Sequence, residues 1–315
     1  MTTPLFDVHA HFLTEEYITA AKAAGHEFPD GMPGWPTWTA ENSLALMDEC
    51  GISRAVLSIS SPGVHFGDDA AARTLARQVN EAGAQLRKDH PDRFGHFASL
   101  PLPDVVGAIE EARYALDVLG SDGVILESNS QGQYLGNPDF APLWKELSER
   151  RAIVFVHPTS PHCGKELFLG RPRPMFEFLV DTARSVSDLI FSDTLQKFPG
   201  IRWIFTHGGG VLPLLADRFE LFRQGFPGVQ GLDTTTPIPQ QLSSLWFDMA
   251  GTPFPHQIPA LIDVVGSEQL LYGSDSCWTP DAAVRAQVAS IDDTAQPKGT
   301  TWRALTSKNA KKLFG

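Results

Sequence analysis

Phe6-Asp-Val-His-Ala-His11 is a short extended run near the start of the chain that closes on two histidines. Two residues apart on a strand, their imidazoles point to the same side and can share one cation. What this run means for the fold depends on what repeats after it. Seven more short runs rich in Val, Ile, Leu and Phe follow: Ala55 to Ile59, Phe94 to Leu100, Gly123 to Glu127, Ile153 to His157, Trp203 to His207, Leu245 to Met249 and Leu270 to Asp275. They are nearly continuously apolar, as strands covered on both faces are. Between them, Ala40 to Cys50, Asp69 to Asp89, Val105 to Leu119, Ala141 to Arg150 and Phe176 to Phe198 carry apolar residues three and four apart, the spacing of amphipathic helices. Thr39 ahead of the first helix, Gly51 and Gly120 after helices, and Pro91 and Pro199 at helix stops punctuate the same pattern. Eight strands alternating with helices predict an α/β fold, a closed (β/α)8 TIM barrel. Residues 1–315 are read as one domain, distorted by inserted loops after strands 1, 5 and 6. Pro29 to Pro36 is the loop after the first strand, and Phe226 to Gln241 is expected to cover the barrel mouth.

The composition agrees with a packed globular chain: 42% of the residues are hydrophobic and 20% charged. No window approaches the roughly 18 uninterrupted apolar residues of a membrane span. Met1 to Leu5 lead straight into the first strand without a basic and apolar leader, so a cytoplasmic protein is expected. Cys50, Cys163 and Cys277 are widely spaced and form no CxxC pair, which predicts reduced thiols rather than a disulfide or thiolate zinc site. The net charge of −12 excludes a nucleic-acid groove, which needs a basic face. A small anion remains acceptable, because a metal ion or an arginine reverses the potential inside a pocket.

In a barrel of this kind the reactive groups stand at the carboxyl ends of the strands. His9 and His11 close strand one, His157 strand five, His207 strand six and Asp275 strand eight. An isolated HxH pair is weak, since ten histidines make roughly 0.3 such pairs by chance. Coincidence with the other strand ends is what gives it weight. Three neutral imidazoles and one carboxylate make a site for Zn²⁺, with Mn²⁺, Fe²⁺, Co²⁺ or Ni²⁺ as alternatives. His207 begins the run His-Gly-Gly-Gly and is placed beside the metal as an acid/base residue, because imidazole titrates near neutrality. Asp7, two residues before His9, is expected to face the same way and to support a ligand or the barrel. His65 and His162 are loop histidines in reach of a substrate. Phe12, Trp35, Trp38, Phe168 and Trp278 fall on active-face loops, where two readings stand: a flat apolar slot together, or packing residues singly, the reading favoured for each.

Several blocks resemble the decarboxylase branch of the amidohydrolase superfamily, which includes the aminocarboxymuconate semialdehyde, salicylate and resorcylate decarboxylases. They are Asp7-Val-His-Ala-His11, Pro91-Asp-Arg-Phe-Gly-His-Phe-Ala-Ser-Leu-Pro101, Tyr134-Leu-Gly-Asn-Pro-Asp-Phe-Ala-Pro-Leu143, His157-Pro158, Thr206-His-Gly-Gly-Gly210 and Tyr272-Gly-Ser-Asp275. The blocks keep the family's order along nearly the whole chain. The resemblance implies one divalent metal held by His9, His11, His157 and Asp275, with His207 beside it and no organic cofactor. Many binuclear relatives carry a carboxylated lysine at the end of strand four, where Glu127 and Ser128 stand here, so a mononuclear site is implied. Arg218, in Leu214-Leu-Ala-Asp-Arg218, matches an arginine that in the semialdehyde decarboxylases reaches a neighbouring subunit's substrate, which implies a homodimer or dimer of dimers. Those relatives also carry an arginine in the helix after strand one, and Asn42 to Glu49 has none, which speaks against their own substrate. His157-Pro-Thr-Ser-Pro161 is closer to members acting on 6-methylsalicylate.

The resemblance therefore implies a metal-dependent non-oxidative decarboxylase of a small hydroxybenzoate-like aromatic acid, with no nucleic-acid or membrane partner. Protonation at the carboxyl-bearing carbon, by His207 or Asp275, would precede loss of CO₂. The alternative is a lactonase-like hydrolase or hydratase in which His207 deprotonates a metal-bound water. The same ligands serve both.

Overall fold

The computed structural model describes residues 2–315 apart from 163, 164, 227, 230 and 233, and omits the side chains of residues 165 and 166. The expectation for Cys163 therefore lies outside the described residues, while Cys50 and Cys277 are free thiols. Eight parallel strands follow one another around a barrel. They are β1 (Leu5–His11), β2 (Ile52–Ser58), β3 (Phe94–Ser99), β4 (Gly123–Glu127), β5 (Ile153–His157), β6 (Arg202–Phe205), β7 (Trp246–Asp248) and β8 (Leu270–Leu271). The last three are shorter than the apolar pattern implies. At β6 and β8 the chain leaves the sheet early to place His207 and Asp275 in left-handed backbone, at φ 51° and 57°.

The barrel closes between its first and last strands. Asp7 bridges to Tyr272 and Ala10 to Ser276, and the Val8 amide donates to the Tyr272 carbonyl at 2.9 Å. Asp7 Oδ1 adds one more bond across this seam, accepting from the Ser274 amide at 3.0 Å, and accepts from the His9 amide of its own strand at 3.0 Å. Burial lifts the Asp7 carboxyl to about 7 against the pull of these bonds.

β1 contains a bulge. Asp7 pairs with Ala55 and Ala10 with Leu57, so three steps on β1 match two on β2. Such an insertion changes which side chains face inward. Val8 accordingly belongs to the barrel's interior cluster with Val56, Phe97, Ile125, Phe155 and Ile204, and His9 still reaches the interior against the Phe155 ring, 5.1 Å between centroids. The expectation that Asp7 and His9 share a direction is corrected here, because it assumed unbroken alternation.

The final helix, Trp302–Phe314, contributes Ala310 and Leu313 to that interior cluster. Phe314 packs on Phe6 at 5.0 Å and on Phe97 at 6.0 Å. Fully burying a side chain such as Phe155 contributes about 1.5–3 kcal/mol. A second, larger apolar layer lies between the strands and the helices around them, including Leu57, Phe94, Trp144, Phe205 and Tyr272. Helix starts follow ordinary capping: Thr39 Oγ1 accepts from the Asn42 amide and Asp68 Oδ1 from the Ala71 amide. The helix expected to run from Phe176 to Phe198 divides into Glu177–Phe191 and Thr194–Lys197 around Asp193, whose φ is 58°. Ile238–Leu242 is helical within the stretch expected to be irregular. Among the described residues no helix is long and apolar enough to cross a membrane.

Candidate metal centre

His9, His11, His157 and Asp275 converge at the carboxyl end of the barrel, each offering a ligand atom within 4.8 Å of the others. His9 Nε2 and His11 Nε2 are 3.0 Å apart. Asp275 Oδ1 faces them at 3.3 and 3.2 Å, yet it is buried without a hydrogen-bonding partner. The three imidazoles are buried.

Each ring is fixed through its other nitrogen. His9 Nδ1 lies 2.9 Å from Asp248 Oδ2 and donates to it. Ser58 Oγ donates to the Ala10 carbonyl at 3.3 Å, so it accepts from His11 Nδ1 at 3.1 Å. His157 Nδ1 donates to the Pro158 carbonyl at 2.7 Å. With Nδ1 carrying the proton in each case, three Nε2 lone pairs point at one another and at Asp275. Lone pairs so arranged repel unless a cation lies among them, and this tautomer pattern is that of metal-bound histidine.

The electrostatics point the same way. Burial opposes charge on His9, but the Asp248 and Asp275 carboxylates outweigh it and lift the imidazole to about 10. Burial holds His11 below its ordinary value and His157 well below. Burial also works against charge on Asp275, yet His9 first, then His11 and His207, keep its carboxyl well below the usual range. The carboxylates call for positive charge: with no ion they draw a proton onto His9, while His11 and His157, held low by burial, cannot supply more and leave their Nε2 lone pairs free. One divalent ion would supply it.

His207 stands beside this group, its Nε2 3.4 Å from Asp275 Oδ2 and its Nδ1 buried without a partner. Its backbone is set by the glycines that follow: His207, Gly208, Gly209 and Gly210 all have positive φ, a run that only glycine sustains cheaply. The His207 amide donates to Asp248 Oδ1 at 2.9 Å, and its carbonyl accepts from Gln257 Nε2. Asp248 therefore grips a candidate ligand with one oxygen and the candidate acid/base residue with the other. Sequence reading missed it, although it ends β7 just as the others end their strands. Gly273 is required at this point, because a Cβ there would come within 2.7 Å of His9 Cβ and 3.0 Å of the Asp248 carboxyl carbon.

Two cavities open at the barrel mouth. The main one, about 750 Å³, is reached by His157, His207 and Asp275 and walled largely by apolar side chains such as Phe178, Leu179, Val211, Phe254 and Trp278. Among the described residues no lysine or arginine of the same chain lines it. The second, about 490 Å³, is polar and holds Glu127, His65, His162 and Arg173. Asp30 borders both; its carboxylate accepts from Ser61 Oγ at 2.7 Å and from Ser160 Oγ, while Ser61 Oγ also meets Thr159 Oγ1 at 2.7 Å. This chain of bonds is the wall between the chambers. Glu127, in the strand-four position where a lysine would serve a second metal, lies 3.7 Å from His157 Nδ1, and burial raises its carboxyl well above the usual range.

The expected apolar slot is only partly present. Trp278 lines the main cavity. Phe12 is fully buried against Trp38 and His96, Trp35 packs between Tyr17 and Trp278, and Phe168 stacks under the Arg173 guanidinium. Placement on active-face loops did not fix which way these rings point. Arg218 lies on the exposed side of helix Leu212–Gly225, its guanidinium over the Phe222 ring at 5.1 Å, and does not line the main cavity.

Residues 6–315 match the amidohydrolase family model. A 6-methylsalicylic acid decarboxylase of Aspergillus aculeatus is 38% identical, the match covering 98% of this chain and 95% of that protein. An amidohydrolase II structure superposes with a TM-score of 0.92 at 33% identity, over 98% of this chain and 99% of the other. A dihydroxybenzoic acid decarboxylase of Polaromonas sp. JS666, solved with manganese and 2-nitroresorcinol, shares the fold with a TM-score of 0.85 at 21% identity, over 99% and 97% of the two chains. Family model, full-length relative and barrel geometry agree: the chain belongs to the amidohydrolase family, in the branch whose named relatives are aromatic-acid decarboxylases.

Proposed function

We propose that this protein is a metal-dependent non-oxidative decarboxylase of a small hydroxybenzoate-type aromatic acid. The observation that carries the reading is the set of inward-facing Nε2 atoms with Asp275, opening on a cavity walled largely by apolar side chains. The full-length relative that decarboxylates 6-methylsalicylic acid supports it. His9, His11, His157 and Asp275 would hold one divalent ion, Zn²⁺ by donor type with Mn²⁺ as the alternative. When bound, such an ion supplies a Lewis acid that draws electron density from the acid's carboxylate and adjacent phenolic oxygen.

The chain's own groups do the rest. The apolar walls, Phe178, Phe254 and Trp278 among them, hold the ring and exclude water. Asp275, as an anionic ligand, is a poor acid, so proton delivery is assigned to His207, aligned by Asp275 Oδ2. A C–H bond forms at the carboxyl-bearing ring carbon. The C–C bond to the carboxylate then breaks, its electron pair returns to the ring, and CO₂ leaves. Arg218 is assigned to a second copy in a homodimer or dimer of dimers, reaching the neighbouring substrate. Its helix presents Leu214 and Leu221 to solvent, 79% and 56% exposed, four residues before and three after it.

The test is a metal-analysed preparation incubated with hydroxybenzoates and lactones. CO₂ release dependent on about one divalent ion per chain is expected; lactone opening without CO₂ would replace this reading with hydrolysis. Sizing the same preparation should return a dimer or tetramer, and an active monomer would remove Arg218 from the substrate site.

A further inference from the structure

The main cavity is larger than a simple hydroxybenzoate requires. A cavity of about 150 Å³ accommodates a benzene ring, and the space beside the candidate ligands measures about 750 Å³. Pockets of that size surround ligands several times larger than one ring. The extra space has a definite character. Met175, Leu179, Leu214, Phe254 and Ala260 supply apolar wall away from the ligand cluster, and Met175 and Leu214 are exposed at the rim, at 70% and 79%. Among the described residues of one chain, its fully charged lining side chains are Asp30 and Asp275, both acidic, so a second carboxylate on the ring would meet like charge there. Hydrogen-bonding side chains line both chambers, Ser60, Ser61, Gln257 and Thr279 in the main one and Asn129 and Thr159 in the second.

We infer that the substrate is a hydroxybenzoate carrying an alkyl or aryl substituent larger than methyl, seated along Leu179, Phe254 and Ala260. The inference rests on the decarboxylase reading and narrows its substrate class. A ring carrying a second carboxylate is the poorer substrate.

The measurement is kcat/KM of the metal-loaded enzyme for salicylate, 6-methylsalicylate, 6-propylsalicylate, 2,6-dihydroxybenzoate and 4-hydroxyisophthalate. Each methylene buried against the wall should raise kcat/KM about fourfold over the first few carbons, with the diacid below 6-methylsalicylate. Ala260→Trp, which fills the far wall, should reduce the ratio of propyl to methyl substrate. A flat or falling series from an enzyme that decarboxylates salicylate, or a ratio unchanged in A260W, would overturn the inference and leave decarboxylation standing. Absence of CO₂ from every member would overturn both.

Discussion

The two sides of the candidate metal centre are built differently. On the β1 side, His9 and His11 sit in a strand, and each ring is clamped through Nδ1 by Asp248 or Ser58. Just past β6 and β8, by contrast, His207 and the candidate ligand Asp275 occupy left-handed backbone, and the His207 ring has a buried nitrogen with no partner. Rings whose two nitrogens are both assigned are fixed in position. Strained backbone at a strand end with an unassigned nitrogen gives a group able to take and give a proton, and strain of this kind gathers where chemistry is done. The contrast separates holding from reacting.

The sharpest way to break the contrast is to remove one member from each side. His11→Ala should lose both bound metal and turnover, whereas His207→Asn should keep the metal and lose turnover by about 10²–10⁴-fold, the usual worth of an acid–base group. Metal content and initial rates measured on the two variants decide it; equal metal loss in both would erase the division. Asp248→Asn touches both sides at once, through His9 Nδ1 and the His207 amide. It should weaken metal affinity by about 10–100-fold, as loss of a group orienting a ligand does, and chelator competition would show no change if Asp248 were merely structural.

The smallest effect isolates burial itself. His96 is as buried as His9, but with no carboxylate against its ring, burial, aided by the Arg87 charge, lowers it to about 3, where Asp248 and Asp275 lift His9 to about 10. His96 is thus neutral in the fold while the unfolded chain protonates it near 6.5. Between those values the unfolded chain binds more protons, so its contribution to stability is lost as pH falls from 6.5 toward 3, by up to about 1.4 kcal/mol per pH unit. Urea midpoints across that range should fall less steeply in His96→Gln than in the parent; parallel slopes would mean that His96 is protonated in the fold.

Much of this was legible in the sequence, for a physical reason. Strands covered on both faces must be apolar throughout, so a polar residue closing such a run, as His157 and Asp275 do, stands out. The same signal was present in Trp246-Phe-Asp248 and passed unread, because a single carboxylate after two aromatic residues carries no motif. The β1 bulge was not legible, since it arises from pairing with β2 and with the seam rather than from local pattern. Nor were the aromatic directions: Phe12 and Trp278 both sit just beyond strand ends, yet one is core and the other cavity wall. The Asp30 partition joins residues separated by up to 130 positions and exists only once the loops after strands 1, 2 and 5 meet.

The barrel seam has a consequence for how the protein is made. His9 belongs to the first strand to be synthesised and Asp275 follows the last, and they adjoin only when the Asp275 amide reaches the His9 carbonyl at 2.8 Å and the Ser274 amide reaches Asp7. A nascent chain carries its first two ligands long before it owns the fourth. Full-affinity metal capture would therefore wait until the last strand is in place, and an ion bound by these candidate ligands would tie the first and last strands of the barrel together. Chelation and loosening of the seam should be one and the same transition.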